Sequence, residues 1–254
     1  MTRILSWNVN GIRSAQKKGL AQWLQSTAPD ILALQETKAQ PDQLDAELTA
    51  PEGYTAVWAS AEKKGYSGVC VYSKREPLKV DLLGASEFDS EGRGLILTFR
   101  GFTLFNCYFP NSQSEGARLE YKLAFCAHLF EQARKRVAAG EQVVIVGDYN
   151  IAHKPIDLAR PKQNEMNPGY LPEERAWMDE FTSGGFTDSF RLFTGEGDHY
   201  SWWSYRAGAR QKNIGWRIDY ACVNDAFRDA VQSSSIHPEV AGSDHCPVSI
   251  GLNL

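Results

Sequence analysis

Several apolar runs in this 254-residue chain stop abruptly on a carboxylate or an amide. Arg3-Ile4-Leu5-Ser6-Trp7-Asn8, Asp30-Ile31-Leu32-Ala33-Leu34-Gln35-Glu36, Val143-Val144-Ile145-Val146-Gly147-Asp148-Tyr149-Asn150 and Arg217-Ile218-Asp219 share this plan. Gly242-Ser243-Asp244-His245 sits just before the last apolar run. Short apolar runs bounded by turn residues are candidate buried strands. Acids at the ends of several such strands can converge on one mouth of a packed sheet. Carboxylates gathered there repel one another, and a hard cation is the natural relief. An oxygen-ligand Mg²⁺ or Mn²⁺ site is expected.

The rest of the chain sets bounds on that expectation. Hydrophobic residues make up 43%, and no linker, low-complexity tract or clear repeat interrupts them, so one domain over residues 1–254 is the simplest reading. A net charge of −4 argues weakly against nucleic acid. Acids massed in a catalytic centre can nevertheless hide a basic rim. The five cysteines, Cys70, Cys107, Cys126, Cys222 and Cys246, are odd in number and lack C-x-x-C spacing. That favours free thiols in a reducing compartment and argues against zinc. A strand-like segment follows Met1-Thr2 directly, with no signal peptide and no apolar stretch of membrane-spanning length. An intracellular, soluble monomer is expected.

Helical spacing predicts a helix over Lys17–Ser26, a short one from Pro41 to about Leu48, a long one over Glu115–Ala139 and another from Pro172. Further strands are predicted at Tyr54–Ala59, Gly68–Ser73, Leu95–Phe99 and Phe102–Phe109, and a long irregular loop runs to Tyr170. Strands and helices mix without strict alternation, which suggests two packed sheets with helices outside. Neither G-x-G-x-x-G nor G-x-x-x-x-G-K-[ST] occurs, so dinucleotide and P-loop readings lose support.

Asp148 and Asn150 would point to one side of an extended segment, the acid to orient or deprotonate a water and the amide to donate to an anionic oxygen. Gly-Asp-x-Asn is also good turn chemistry by itself. Glu36 can be a metal ligand or a strand-end ion-pair partner of Lys38. Ser243, Asp244 and His245 are adjacent, so they cannot line up as a triad. His245 can hold a phosphate oxygen or share a proton with a distant carboxylate such as Asp219. Tyr108, closing its own strand before Pro110-Asn111, can set a phenol or phenolate against phosphate, or simply pack.

Taken together, these segments closely resemble the exonuclease III family of apurinic/apyrimidinic endonucleases, within the wider group that includes DNase I and the inositol-polyphosphate phosphatases. The matching pieces include Ser6–Arg13, Leu34–Lys38, Gly65–Val69, Tyr108–Asn111, Gly147–Ala152, Leu171–Arg175, Gly215–Tyr220 and Ser243–Pro247, in the family's order. The resemblance implies a four-layer α/β sandwich, with two mainly antiparallel sheets face to face and helices on both outer sides. It implies hydrolysis of the phosphodiester 5′ to an abasic site, leaving a 3′-hydroxyl, and removal of 3′-blocking groups or exonuclease action from 3′ ends. By the same resemblance Glu36 binds the metal with Asn8, Asn10 and Asp244 nearby. Asp148 activates water with Asn150 beside it, Tyr108 and His245 contact phosphate, and Asp219 supports His245.

The implied partner is double-stranded DNA with abasic sites or blocked 3′ ends. Arg206, Arg210, Lys212 and Arg217 fall in an acid-free segment with Tyr205 and Trp216, just after Trp202-Trp203. Basic residues interleaved with aromatics suit a surface that tracks a nucleic-acid backbone. A solvated loop whose tryptophans fill the core is the plainer account. Arg13, Lys64, Asn111 and Asn167 extend the expected footprint, and the resemblance makes Trp202 and Trp216 walls of a pocket for the base-free sugar. Another phosphoesterase of the same group, such as a nonspecific DNase or a phosphoinositide phosphatase, is the alternative. A DNA-binding module without catalysis is the third.

Overall fold

Periodicity of two explains the layers. In the first strand, β1 (Thr2–Asn8), Leu5 and Trp7 point one way and Ile4 the other, and each set joins a different core. The structure, a computed structural model, describes residues 1–254 and holds eleven further strands. They are β2 (Ile31–Gln35), β3 (Thr55–Ala59), β4 (Val69–Ser73), β5 (Lys79–Asp81), β6 (Gly94–Phe99), β7 (Phe102–Tyr108), β8 (Val143–Asp148), β9 (Phe186–Asp188), β10 (Asp219–Asn224), β11 (Val231–Ile236) and β12 (Val248–Leu252). Two six-stranded sheets result, ordered β11-β12-β1-β2-β4-β3 and β5-β6-β7-β8-β10-β9.

Ile4, Ala33, Val69 and Val71 of the first sheet meet Leu95, Leu104, Val144, Val146 and Val223 of the second in the central core. Leu20 and Leu24 of the helix Leu20–Thr27 cover the outer face of the first sheet, against Leu5, Leu32 and Leu34. Phe125, Leu129, Trp177, Met178 and Phe181, from helices Leu119–Ala138 and Pro172–Ser183, cover the second against Phe105, Cys107 and Ile145. This is the expected four-layer sandwich. A polar pin crosses the central core, where Gln35 Nε2 donates to Asn106 Oδ1 (2.7 Å) and Ser6 Oγ (3.0 Å).

Each sheet has one parallel pair at its centre, β1 with β2 and β7 with β8, and every other pairing is antiparallel. Parallel neighbours end at the same edge. The last residues of β1, β2, β7 and β8 therefore share one mouth of the sandwich with the first residue of antiparallel β10, where Asp219 pairs with Asp148. Gly147 makes the β7–β8 approach possible, because a Cβ there would lie 1.8 Å from the Cys107 carbonyl oxygen.

The sequence reading and the fold differ at element ends. The helix predicted over Lys17–Ser26 begins only at Leu20, after Gly19 with its φ of +93°, and runs to Thr27, while an unpredicted short helix, Ile12–Gln16, precedes it. Two short edge strands, β5 and β9, carry too few residues for a period to show. The long loop to Tyr170 contains a short helix at Pro161–Asn164. All five cysteines are free and buried. No helix is long and apolar enough to cross a membrane.

Candidate active site

Three of the central strands end in a backbone reversal rather than a simple exit. Asn10, Glu36 and Asn150 all take left-handed φ, at +45°, +55° and +51°. Such conformations are costly for residues other than glycine and persist only where the surroundings hold them. Here they turn side chains back over the strand ends. Tyr108, Glu36, Asn10, Asp148, Asn150, Asp244 and His245 all line one cleft of about 640 Å³.

The second sheet supplies a buried, hydrogen-bonded carboxylate. Asp148 accepts from the Asn150 amide N–H at Oδ1 (2.8 Å), and at Oδ2 from Asn8 Nδ2 (2.8 Å) and Asn150 Nδ2 (3.1 Å). His245 Nδ1 lies 2.8 Å from Asp219 Oδ2, and its Nε2 lies 3.9 Å from Asp148. Ser201 Oγ also donates to Asp219 Oδ2 (2.6 Å), a partner the sequence reading missed. Burial pushes the Asp148 carboxyl up to about 7, with Asp219 adding to it and His245 opposing. Burial pulls the His245 imidazolium down, yet the Asp219 and Asp148 carboxylates outweigh it and push it up to about 10. Burial, with Glu36 and Asp148 nearby, raises Tyr108 well above the ordinary phenol range. That direction favours the neutral phenol, a hydrogen-bond donor, over the phenolate.

The first sheet and the loop before β12 supply a more open set of oxygens. Lys38 Nζ lies 3.2 Å from Glu36 Oε1 and donates to Asn10 Oδ1 at 2.5 Å. The Glu36–Lys38 pair foreseen as the plainer reading thus exists, and its Glu36 lines the cleft. Asn10 Nδ2 donates to Asp244 Oδ1 (2.9 Å), and Trp202 Nε1 donates to Asp244 Oδ2 (3.1 Å). Burial raises the Asp244 carboxyl, but His245, Asn10 and Trp202 outweigh it, and the net shift is downward, so Asp244 stays ionised.

Two groups of side chains could hold a metal. One ligand atom each from Asp148, Asp219 and His245 lie within 4.8 Å of one another. In that trio His245 Nδ1 is already engaged by Asp219, and an imidazolium already offsets the acids. Glu36, Asn10 and Asp244 offer only oxygens around a position that a lysine ammonium already approaches, which suits a hard cation better. Asn8 departs from its expected role as a ligand. It is fully buried, does not line the cleft, and its amide links Asp148 to the Asn10 backbone N–H (2.9 Å). Asn8 positions other groups.

The expected DNA-facing residues divide. Trp202 and Trp216 pack edge to face at 6.2 Å and wall the cleft. Asn111 and Asn167 line it too, and Asn111 Nδ2 donates to Asn150 Oδ1 (3.1 Å). Arg13, Lys64, Arg206 and Lys212 are exposed, with the Lys212 ammonium turned to Ala207 O at 2.9 Å. Arg210 is a correction. It stacks 4.7 Å from the Trp203 ring and donates to the carbonyls of Pro238, Val240 and Ser243. Its hydrogen bonds fasten the loop that carries Asp244 and His245. Arg217 is buried between Asp157 (2.7 Å) and Asp188 (2.8 Å), and so it does not join a basic surface. Ile218 was missed as a cleft wall, although in an extended segment it shares a side with Trp216. Arg160, Gln163 and Asn164 line the cleft unannounced by any pattern.

Known proteins resemble this chain in sequence and fold. The profile of the Endonuclease/Exonuclease/phosphatase family matches residues 5–245. An exodeoxyribonuclease of Bacillus subtilis is 42% identical over 259 residues, covering 99% of this chain and 100% of that protein. The DNA repair nuclease APEX1 of Danio rerio is 41% identical over 254 residues, covering 98% of this chain and 82% of the relative. The structure of the 3′ phosphatase NExo from Neisseria bound to a product DNA hairpin superposes with a TM-score of 0.89 at 29% identity, covering 100% of both chains. With the profile and near full-length relatives in agreement, this chain belongs to the endonuclease/exonuclease/phosphatase family.

Proposed function

We propose that residues 1–254 form one catalytic domain, a divalent-metal-dependent DNA repair endonuclease. It hydrolyses the phosphodiester 5′ to an abasic site to leave a 3′-hydroxyl, and it also acts as a 3′–5′ exonuclease and cleans 3′ ends. One observation carries the reading: Asp148, held by three hydrogen bonds, faces the Asp219–His245 pair in a cleft walled by Trp202, Trp216 and Ile218. The polar part suits hydrolysis of an anionic ester. The apolar part suits a bare deoxyribose, whose extrusion is cheap because no base must be unstacked.

In this mechanism Asp148 takes a proton from the attacking water, whose oxygen forms the new bond to phosphorus as the bond to the 3′ oxygen breaks, and that oxygen takes a proton from solvent to become the 3′-hydroxyl. The His245 imidazolium and the Tyr108 phenol face the phosphate oxygens as charge grows on them, while the Asn150 amide holds the Asp148 carboxylate. The Asp219 carboxylate keeps His245 protonated and oriented. Glu36 and Asp244, with Asn10 beside them, would hold Mg²⁺, which when bound offsets charge on the phosphate and leaving oxygen. Mn²⁺ favours similar oxygen donors and is the expected substitute.

A duplex with a single tetrahydrofuran abasic analogue tests the reading. Nicking 5′ to the analogue is expected with Mg²⁺, none with EDTA, and far less on intact duplex or inositol phosphates. Equal internal nicking of intact duplex would favour a nonspecific DNase, and turnover of inositol phosphates a phosphatase.

A further inference from the structure

An ion pair lies beneath the catalytic amide, and the mechanism above does not use it. Lys122, on helix Leu119–Ala138, and Glu174, on helix Pro172–Ser183, meet at 2.7 Å with both side chains 0% exposed. The ammonium also donates to the backbone carbonyl of Asn150 at 2.6 Å. The carboxylate accepts from Ser112 Oγ, and at 2.9 Å from the Leu171 N–H. One knot therefore ties three segments: the turn after β7, the turn after β8, and the start of the helix that ends the cleft-lining loop.

Stability alone does not account for it. A well-packed apolar pair usually serves as well as a buried ion pair, because desolvating two charges offsets their attraction. An apolar pair would leave the Asn150 carbonyl without this buried donor. It would also leave the left-handed turn at Asn150 without a tether on its inner side. That turn aims the amide: Asn150 Nδ2 reaches Asp148 Oδ2 and the Phe109 carbonyl (3.0 Å), and its Oδ1 accepts from Asn111.

We propose that the Lys122–Glu174 pair is a positioning device that locks the Asn150 turn, and with it the Asp148 carboxylate, in the reactive arrangement. The proposal rests on the hydrolytic role given above to Asp148 and Asn150. Neither Lys122 nor Glu174 lines the cleft, so neither touches substrate, and their effect passes through Asn150. A shift of the reacting groups by about 1 Å can cost roughly 10²-fold in rate.

The test is steady-state nicking of the tetrahydrofuran duplex with Mg²⁺, with thermal melting and duplex binding in EDTA measured beside it. The double variant Lys122→Met/Glu174→Gln removes both charges together, so no lone buried charge remains, and its glutamine can still accept from Ser112 and Leu171. Its kcat is expected to fall roughly 10²-fold while KM and duplex affinity stay near wild type. Lys122→Arg keeps a cation and donors and is expected to recover most of that loss. Ser112→Ala, a smaller lesion of the same knot, is expected to lower kcat modestly without changing KM. Wild-type kcat in the folded double variant would overturn the proposal. So would a binding loss as large as the turnover loss, or a folded Lys122→Arg protein no better than the double variant. If the double variant does not fold, wild-type kcat in Ser112→Ala overturns it. Failure of the wild-type enzyme to nick would sink the proposed function, whereas nicking by wild type and variant alike sinks only this positioning role.

Discussion

The two sheets contribute the same device to the mouth and put it to different uses. Each ends its central parallel pair there, β1 with β2 in one and β7 with β8 in the other. The first sheet's edge is open: Glu36 and Asn10 face the cleft, and Lys38 stands between them. The second sheet's edge is closed over, with Asp148 and Asp219 almost wholly buried and Asp148 pushed up to about 7. The more accessible oxygens of the first edge suit a cation. Burial raises the Asp148 carboxyl, which suits it to a proton. Burial, more than residue type, divides the labour.

The largest effect should come from the buried side. Asp148→Asn is expected to lower kcat by about 10³-fold or more while folding and duplex binding persist. Near-full turnover would erase the distinction between the two edges. Next comes the open side, where Glu36→Gln is expected to cost roughly 10²-fold at fixed Mg²⁺ and to recover in part as Mg²⁺ is raised. Activity that ignores added Mg²⁺ would move the cation to the Asp148–Asp219–His245 trio.

The pH profile sharpens the comparison further. Asp148 must be ionised to take a proton, so activity should rise as pH passes through about 7. His245 must be protonated to face phosphate, so activity should fall as pH nears about 10. Asp219→Asn removes a carboxylate that holds the imidazolium proton, and the alkaline fall should begin at lower pH. An unmoved alkaline limb would dissociate His245 from it.

Smaller effects are expected at the walls and rim. Ile218→Ala should raise KM for the abasic duplex roughly 10-fold, with little change in kcat. Arg206→Ala should reduce the slope of log affinity against log salt by about 1. Arg210→Ala should leave that slope unchanged and lower the melting temperature, because its contacts are carbonyls of its own chain. A salt slope altered equally by both would restore Arg210 to the DNA surface.

Much of this was legible in the residues because strand and helix periods are local. The run Val143–Val146 ending at Asp148 shows its buried strand and its terminal acid without help from the rest of the chain. The convergence of Asp219 on Asp148 was harder to see, since it needs an antiparallel pairing between residues far apart in sequence. Arg206, Arg210 and Arg217 look alike in the chain, yet one is exposed, one caps loop carbonyls and one is buried between two aspartates. Lys122 reads as one more polar residue on a long helix until Glu174 and the Asn150 carbonyl are brought against it.

Residue order alone thus determined the alternation of apolar and polar positions, the places where strands stop, and the acids and amides at those stops, because backbone geometry repeats over a few residues. Tertiary structure alone decided which acid is dry and which is wet, which arginine faces outward, and which lysine donates to the Asn150 turn. Burial and partnership depend on segments brought together across the whole chain, and no local period encodes them.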